Sequence, residues 1–405
     1  MKIGVYGGTF DPPHLGHLEA ARAALALLEL DQVLFIPAHQ PPHKNLTEAS
    51  APGRARLDMA ALMADGVGLL SGRPGCAQAD PIELEREGKS YTADTLAALR
   101  ARYPGDELWL LVGTDMFLTL QNWYRPEDIL SLAHVAAFAR TEADSGEMME
   151  VQVAYLRDTF GAKVTLVQLP KITDVSSTRL RTLLRTDRAG ARDLLWCQVY
   201  GHILLHGLYG VEADLKALDD EDLRCASYAM VRAKRIPHIR GCEEEAVRLA
   251  RHWGADPDLA RRAGILHDCT KYLDLEEQLN LCEKYGIVLD DLERRTVKLL
   301  HAKTGAAIAK YEFGQPDEVF QAIYWHTTGK ADMDLLSKLL YLADYIEPNR
   351  APFDGLEEMR RLAYTDLDAA LLMGCELTIQ DMEERGVQVH TNTLQAREYL
   401  KGRTQ

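Results

Sequence analysis

The sequence predicts an α/β domain built on a parallel sheet, followed by an all-α domain, and three observations carry that expectation. At 405 residues the chain is too long for one ordinary hydrophobic core. From Lys2 to about Thr186, short apolar runs alternate with stretches of helical period, the pattern of strands and crossover helices. After about Gly210 the strand signal stops and only helical periods remain.

In chain order, strands are expected at Ile3–Tyr6, Gln32–Pro37, Glu107–Val112, His134–Ala139 and Lys163–Leu169. Between them, helices are expected at Leu18–Leu28, Thr92–Tyr103 and Glu147–Phe160. A parallel sheet of this kind holds its ligands beyond the carboxyl ends of its strands. In the second half, helical periods cover Glu243–Trp253, Asp258–Tyr272, Leu292–Lys310, Asp317–His326, Asp334–Ile346 and Leu356–Met373. Asp256 with Pro257 suits a helix start, and Pro348 suits a stop. The join is expected near Leu208–Asp214, giving domains 1–210 and 211–405, although no Gly/Ser-rich or Pro-rich linker marks it.

Composition narrows the function classes. Hydrophobic residues at 47% and charged residues at 26% are the balance of a soluble globular protein, and no apolar run is long enough to span a bilayer. The seven cysteines are scattered, odd in number and without a Cys-x-x-Cys pair, which argues against a disulfide framework or structural zinc and fits a cytoplasmic location. A net charge of -15 repels polyphosphate at long range, so neither nucleic acid nor membrane is an expected partner. Any phosphate ligand must be held by a local constellation strong enough to overcome that field. The oligomeric state stays open, a homodimer included.

One such constellation opens the chain. Gly7-Gly8-Thr9-Phe10-Asp11-Pro12-Pro13-His14-Leu15-Gly16-His17 follows the first strand and enters the first helix. Paired glycines let the backbone approach an anion, and the helix start that follows favours negative charge. His14 and His17 lie one helical turn apart and can meet one ligand, where imidazoles neutralise charge developing on a phosphoryl group. A bare Gly-Gly would be only a tight turn; the whole string at a strand–helix junction is more than that. Far downstream, Ser176-Ser177-Thr178-Arg179-Leu180-Arg181 offers a second helix start, with Ser177 and Thr178 as caps and Arg181 as a planar fork for phosphate oxygens.

These segments resemble the nicotinate-nucleotide adenylyltransferases, nucleotidyltransferases with an HxGH signature, over Lys2 to Tyr209. Further matches are Pro41-Pro42-His43-Lys44, Ser90–Leu96, Gly113-Thr114-Asp115, Trp123-Tyr124 and the closing His206-Gly207-Leu208-Tyr209. The resemblance implies a Rossmann-like sheet and transfer of AMP from ATP to nicotinate mononucleotide. It implies His14, His17, Lys44 and Arg181 as catalytic residues, and Gly7, Gly8, Thr9, Phe10, Gly113, Asp115, Ser176, Ser177 and Thr178 as the ATP site. Thr92, Trp123 and Tyr124 would hold the mononucleotide, and Mg2+ would arrive with ATP. Because the cradle is shared, nicotinamide mononucleotide and pantetheine phosphate are rival acceptors. The Gly/Pro-rich stretch Ser71–Ala79 departs from the family's shorter strand entry.

The helical half carries a second constellation: His238, His267-Asp268, His301, His326 and Asp344. A lone His-Asp pair means little, but polar residues set within apolar helix runs need partners, and a shared metal supplies one. Imidazole with carboxylate suits Fe, Mn or Zn. The strings around these residues resemble HD-domain phosphohydrolases, most closely the symmetrical bis(5′-nucleosyl)-tetraphosphatases, over roughly Leu223 to Leu400. The resemblance implies His238, His267, Asp268 and Asp344 around one ion, His301 and His326 completing a second, and Lys271 and Arg350 as phosphate contacts. The entry Arg235-Ile236-Pro237-His238 departs from the family pattern, making His238 the least secure ligand. A nucleotide-sensing module is the rival reading of this half.

Overall fold

The computed structural model describes residues 1–42, 49–139, 147–168, 173 and 175–403. They form two compact units, Met1–Glu212 and Ala213–Gln405.

The sheet of the first unit comprises Lys2–Gly8 (β1), Gln32–Pro37 (β2), Ala77–Ala79 (β3), Glu107–Gly113 (β4), His134–Ala139 (β5) and Val164–Gln168 (β6). Every pairing is parallel, and the spatial order is β3-β2-β1-β4-β5-β6. The order reverses between β1 and β4, which opens a crevice at their carboxyl ends. Val33–Ile36, Leu108–Val112 and Val135–Phe138 are buried throughout, as in a sheet covered on both faces. The helices are Leu15–Leu27 (α1), Gly53–Leu70 (α2), Thr92–Arg102 (α3), Thr114–Phe117 (α4), Pro126–Leu132 (α5), Glu147–Phe160 (α6), Ser177–Thr186 (α7), Arg188–Arg192 (α8) and Cys197–His206 (α9).

Several of these elements are absent from the sequence reading, β3 and α2 among them. The edge strand β3 has three residues, too few for a two-residue period to register, and it lies in the Gly/Pro-rich stretch. Helix α2 contains Gly53, Gly66 and Gly68, poor helix formers, and is held instead by burying Met59, Ala60, Met63, Ala64 and Val67.

The second unit is helical: Asp220–Ala229 (α10), Ile236–Trp253 (α11), Pro257–Leu266 (α12), Leu275–Lys284 (α13), Val297–Ala307 (α14), Asp317–Trp325 (α15), Leu335–Ile346 (α16), Leu356–Ala363 (α17), Leu367–Glu384 (α18) and Thr391–Lys401 (α19). Aspartate caps set many starts: Asp219, Asp256, Asp274, Asp334 and Asp366 each accept an amide of the first turn. Three expected helices are shorter or divided. The expected Asp258–Tyr272 helix stops at Leu266, because the His267 ring turns back to the Gly264 carbonyl. Leu292–Lys310 divides into a 3-10 turn, α14 and a π turn at Ile308–Glu312. Leu356–Met373 breaks where the Asp366 side chain caps α18. Among the described residues, no helix is long and apolar enough to cross a membrane. Cys76, Cys242, Cys269, Cys282 and Cys375 are free buried thiols.

Candidate functional site

In the first unit, the loop leaving β1 is held from several directions. The buried Arg56 guanidinium, on α2, donates to the carbonyls of Thr9 (2.9 Å), Ala38 (2.6 Å) and Ala51 (3.2 Å). Burial lowers its pKa, with Asp11 and Tyr209 opposing that shift. Asp11 Oδ1 accepts from the Ala51 amide and the Tyr209 hydroxyl, both at 2.9 Å. Ser177 Oγ donates to the Pro12 carbonyl at 2.9 Å, and Arg181 Nη1 donates to the Asp11 carbonyl at 2.6 Å. The segment 8–13 is therefore a rigid cradle wall rather than a loose turn.

His14 and His17 stand at the start of α1 with their rings 3.8 Å apart. The His14 amide donates to His17 Nδ1 at 3.2 Å, so in the neutral ring Nε2 carries the His17 proton and is the donor. Tyr6 and Phe10 flank the His17 ring at 5.9 and 5.1 Å between centroids. Gly16 has a steric reason: a Cβ there would lie 3.2 Å from both His14 Nδ1 and the Thr173 carbonyl.

At the switch point lies a cavity of about 350 Å³, lined among others by Gly7, Gly8 and Thr9 from β1 and its loop and by Thr92, Trp123 and Tyr124. That volume suits a small ligand. The Tyr91 and Tyr124 rings pack 4.4 Å apart at its wall, and Ser90 Oγ accepts the His39 amide (2.9 Å), tying the loop after β2 to the entry of α3. Of the expected residues, Gly7, Gly8, Thr9, Thr92, Trp123 and Tyr124 thus share one pocket. Phe10 is buried behind Gly8 and is part of the core. Gly113 ends β4 and Asp115 is exposed on α4, both outside the cavity lining. Lys44 lies outside the described residues. The cap of α7 is Ser176, which accepts the Arg179 amide, rather than the expected Ser177 or Thr178: Ser177 points to Pro12 and Thr178 meets Arg181. Arg181 is engaged with Asp11 rather than presenting an open fork. Arg56 is the residue sequence reasoning missed, since nothing local distinguishes it from a solvated helix arginine.

In the second unit, four imidazoles and two carboxylates converge. His238 comes from α11, His267 and Asp268 from the turn after α12, His301 from α14, His326 from the end of α15 and Asp344 from α16. Each ring has an acceptor for its Nδ1: Glu347 Oε1 for His238 (3.1 Å), Gly264 O for His267 (2.8 Å), Lys298 O for His301 (2.8 Å) and Ile323 O for His326 (2.7 Å). A proton on every Nδ1 leaves every Nε2 with a lone pair pointing inward. Those atoms then face one another, His238 to His267 at 3.3 Å and His301 to His326 at 3.2 Å. Asp268 lies between the pairs, Oδ2 3.5 Å from His267 Nε2 and Oδ1 3.2 Å from His301 Nε2, while Asp344 Oδ1 is 3.0 Å from His238 Nε2. Asp268 Oδ1 and Asp344 Oδ1 are buried without a hydrogen bond. Opposed lone pairs beside buried carboxylate oxygens are repulsive unless cations lie among them, so these residues fit divalent metal.

Protonation agrees with that fit. Burial pushes His267 down to about 4 and His326 to about 3, which keeps both rings neutral. Burial alone would raise the Asp268 carboxyl, but the basic groups packed against it, the Lys271 ammonium included, hold it well below the usual range. His238, the least secure ligand by sequence, sits firmly: Pro237 occupies the first turn of α11, where no amide is needed, and its carbonyl accepts from Asn349 (2.8 Å). Lys271 Nζ lies 2.9 Å from His301 Nε2 and 3.4 Å from Asp268 Oδ1, among the inward-facing nitrogen and carboxylate atoms. Arg350 stands 4.0 Å from Asp344. Arg235, not anticipated, donates from Nε to Asp268 Oδ2 at 2.5 Å.

Asp290, Glu293 and His390 also come within ligand distance of one another. There His390 Nδ1 accepts the Asn392 amide, so Nε2 carries the proton and donates to Glu293, which Lys303 Nζ also meets at 2.5 Å. That cluster is satisfied without metal.

A parallel sheet with a phosphate-type turn at its switch point defines a nucleotide-binding α/β unit, and residues 5–183 match the cytidylyltransferase-like family model. Residues 235–349 match the HD domain model. A probable nicotinate-nucleotide adenylyltransferase of Carboxydothermus hydrogenoformans is 36% identical over 208 residues, covering 51% of this chain and 98% of the relative. Another, of Trichlorobacter lovleyi, is 37% identical over 221 residues, covering 52% and 99%. Over its first half, the chain belongs to the nicotinate-nucleotide adenylyltransferase family, and it continues into an HD domain. A crystal structure from Clostridium acetobutylicum, described as a predicted HD superfamily hydrolase involved in NAD metabolism, is 39% identical with a TM-score of 0.45, covering 46% of this chain and 98% of that one.

Proposed function

We propose that the first unit transfers AMP from ATP to nicotinate mononucleotide, and that the second hydrolyses a dinucleoside polyphosphate, diadenosine tetraphosphate giving two ADP. The first reading is supported by a cavity whose lining joins the glycine cradle to Thr92, Trp123 and Tyr124, and by the paired imidazoles at the start of α1. A phosphate oxygen of the mononucleotide attacks the α-phosphorus of ATP, the bond to the β-phosphate bridge breaks, and pyrophosphate leaves with its Mg2+. The chain supplies position and charge neutralisation, with His17 Nε2–H as a donor toward the phosphates. His17→Ala is expected to cut nicotinate adenine dinucleotide formation on the order of 10²–10³ while leaving the melting temperature in place. Near-normal turnover would remove His17 from the chemistry. The same assay with nicotinamide mononucleotide and pantetheine phosphate separates the rival acceptors.

For the second unit, the observation that carries the reading is the inward set of four imidazole Nε2 atoms around Asp268. Fe, Mn or Zn bound there supplies Lewis acidity toward a phosphate. Asp268 joins the two halves of the cage, one oxygen to each, and Arg350 lies beside Asp344 to steady polyphosphate. Asp268→Ala and chelation are both expected to abolish hydrolysis, with adenylyl transfer unchanged in the mutant. Chromatography of the products decides the cut: AMP plus ATP refutes the symmetrical cleavage, and no hydrolysis of any dinucleoside polyphosphate favours a sensing module.

A further inference from the structure

We infer that the cage of the second unit has two unequal halves, and that Lys271 is a built-in cation which disfavours ion entry into the weaker half. This rests on the metal-site reading above. The stronger half presents His238 Nε2, His267 Nε2 and Asp268 Oδ2 within ligand distance of one another, with Asp344 Oδ1 3.0 Å from His238 Nε2. It has a whole carboxylate of its own in Asp344, whose buried Oδ1 receives no hydrogen bond. Behind His238 stands a third carboxylate, Glu347, itself buried and fixed by the Asn349 amide at 2.6 Å. A carboxylate on the far nitrogen makes an imidazole a better ligand than a carbonyl does. The cations facing this half are Arg235, on Asp268 Oδ2, and Arg350, 4.0 Å from Asp344.

The weaker half presents three donors: His301 Nε2, His326 Nε2 and the shared Asp268 through Oδ1. Both imidazoles are backed by neutral carbonyls, Lys298 and Ile323. Thr327 Oγ1 lies 3.4 and 3.3 Å from the two Nε2 atoms and adds no charge. Into this set projects the Lys271 ammonium, 2.9 Å from His301 Nε2 and 3.4 Å from Asp268 Oδ1. An ion entering here meets an ammonium that donates to one of its imidazole nitrogens, whereas Arg235 on the other half holds only the shared Asp268 through Oδ2, and at such distances like charges repel strongly even when partly screened. The first ion therefore takes the His238/Asp344 half, and Lys271 sets how readily a second follows. The ammonium, once displaced, is free to meet a phosphate, so loading and substrate binding draw on one side chain.

The test is a titration of the full chain, stripped by chelation, with Mn2+, followed by calorimetry and by bound-metal analysis. Two binding steps at least tenfold apart are expected, or one step alone. Lys271→Met is expected to tighten the weaker step by about tenfold or more, or to create it, leaving the stronger step in place. Lys271→Arg keeps the charge and should keep the weaker step weak. Asp344→Asn should weaken the stronger step selectively. Two equal steps in the unaltered chain overturn the inference, as does a Lys271→Met protein whose weaker step is unchanged or poorer. Absence of Mn2+ binding in every protein overturns the metal reading itself, a separate and recognisable failure.

Discussion

His14 and His17 were legible because the chemistry they suggest sits in one short string, and the structure adds which nitrogen donates. Arg56 was not legible, because its three carbonyl partners come from Thr9, Ala38 and Ala51, and only the closed fold brings those together. His202 on α9 shows how burial at a single residue becomes a property of the unit. Burial, and then the His206 ring 4.2 Å away, push it down to about 4 from an ordinary 6.5. Between those values the unfolded chain binds more protons than the folded one, so stability from this group is complete above pH 6.5 and declines as pH falls toward 4. His202→Gln should flatten that decline. Melting temperatures of both proteins at neutral pH and near the lower bound check it; identical pH dependence would show that other groups set the acid response.

At the scale of elements, the most consequential contact is between α11 and α12. A Cβ on Gly264 would lie 2.6 Å from the Glu243 Cα, so the two backbones meet there without side chains between them. The same residue's carbonyl receives His267 Nδ1 and so sets the tautomer of that imidazole. Gly264→Ala must push the helices apart, and overpacking of this kind costs about 1–3 kcal/mol. The expected result is a lower denaturation midpoint together with weaker Mn2+ binding. A normal midpoint with normal metal uptake would show that the helices part without cost. Read from periodicity, the helix here continues to Tyr272; it stops at Leu266 because a ring-to-carbonyl bond and burial of Thr270 outweigh helical propensity. The three-residue β3 and the glycine-bearing α2 escaped notice for the complementary reason: packing makes them, and local signal does not.

For the whole molecule, the chain divides into two compact units between Glu212 and Ala213, and the first includes residues beyond its last full helix. Tyr209 reaches Asp11 in the opening cradle, and Val211 is buried. We therefore expect a fragment ending at Glu212 to retain adenylyl transfer and one ending at His206 to lose most of it; equal activity in the two would make the Tyr209 tie dispensable. A fragment from Ala213 onward should bind metal unaided. By itself the sequence determined the order of an α/β and an α-helical half, the histidine string after the first strand and the roster of metal-ligand types, because strand and helix periods and short motifs are local properties. Tertiary structure alone decided that Glu347 backs His238 across 109 positions, that Asp268 turns one oxygen to each pair of imidazoles, and that Lys271 stands beside His301 among them. Those facts depend on how separate helices pack, and the few ångströms that distinguish a ligand from its neighbour are fixed only when the core closes around them.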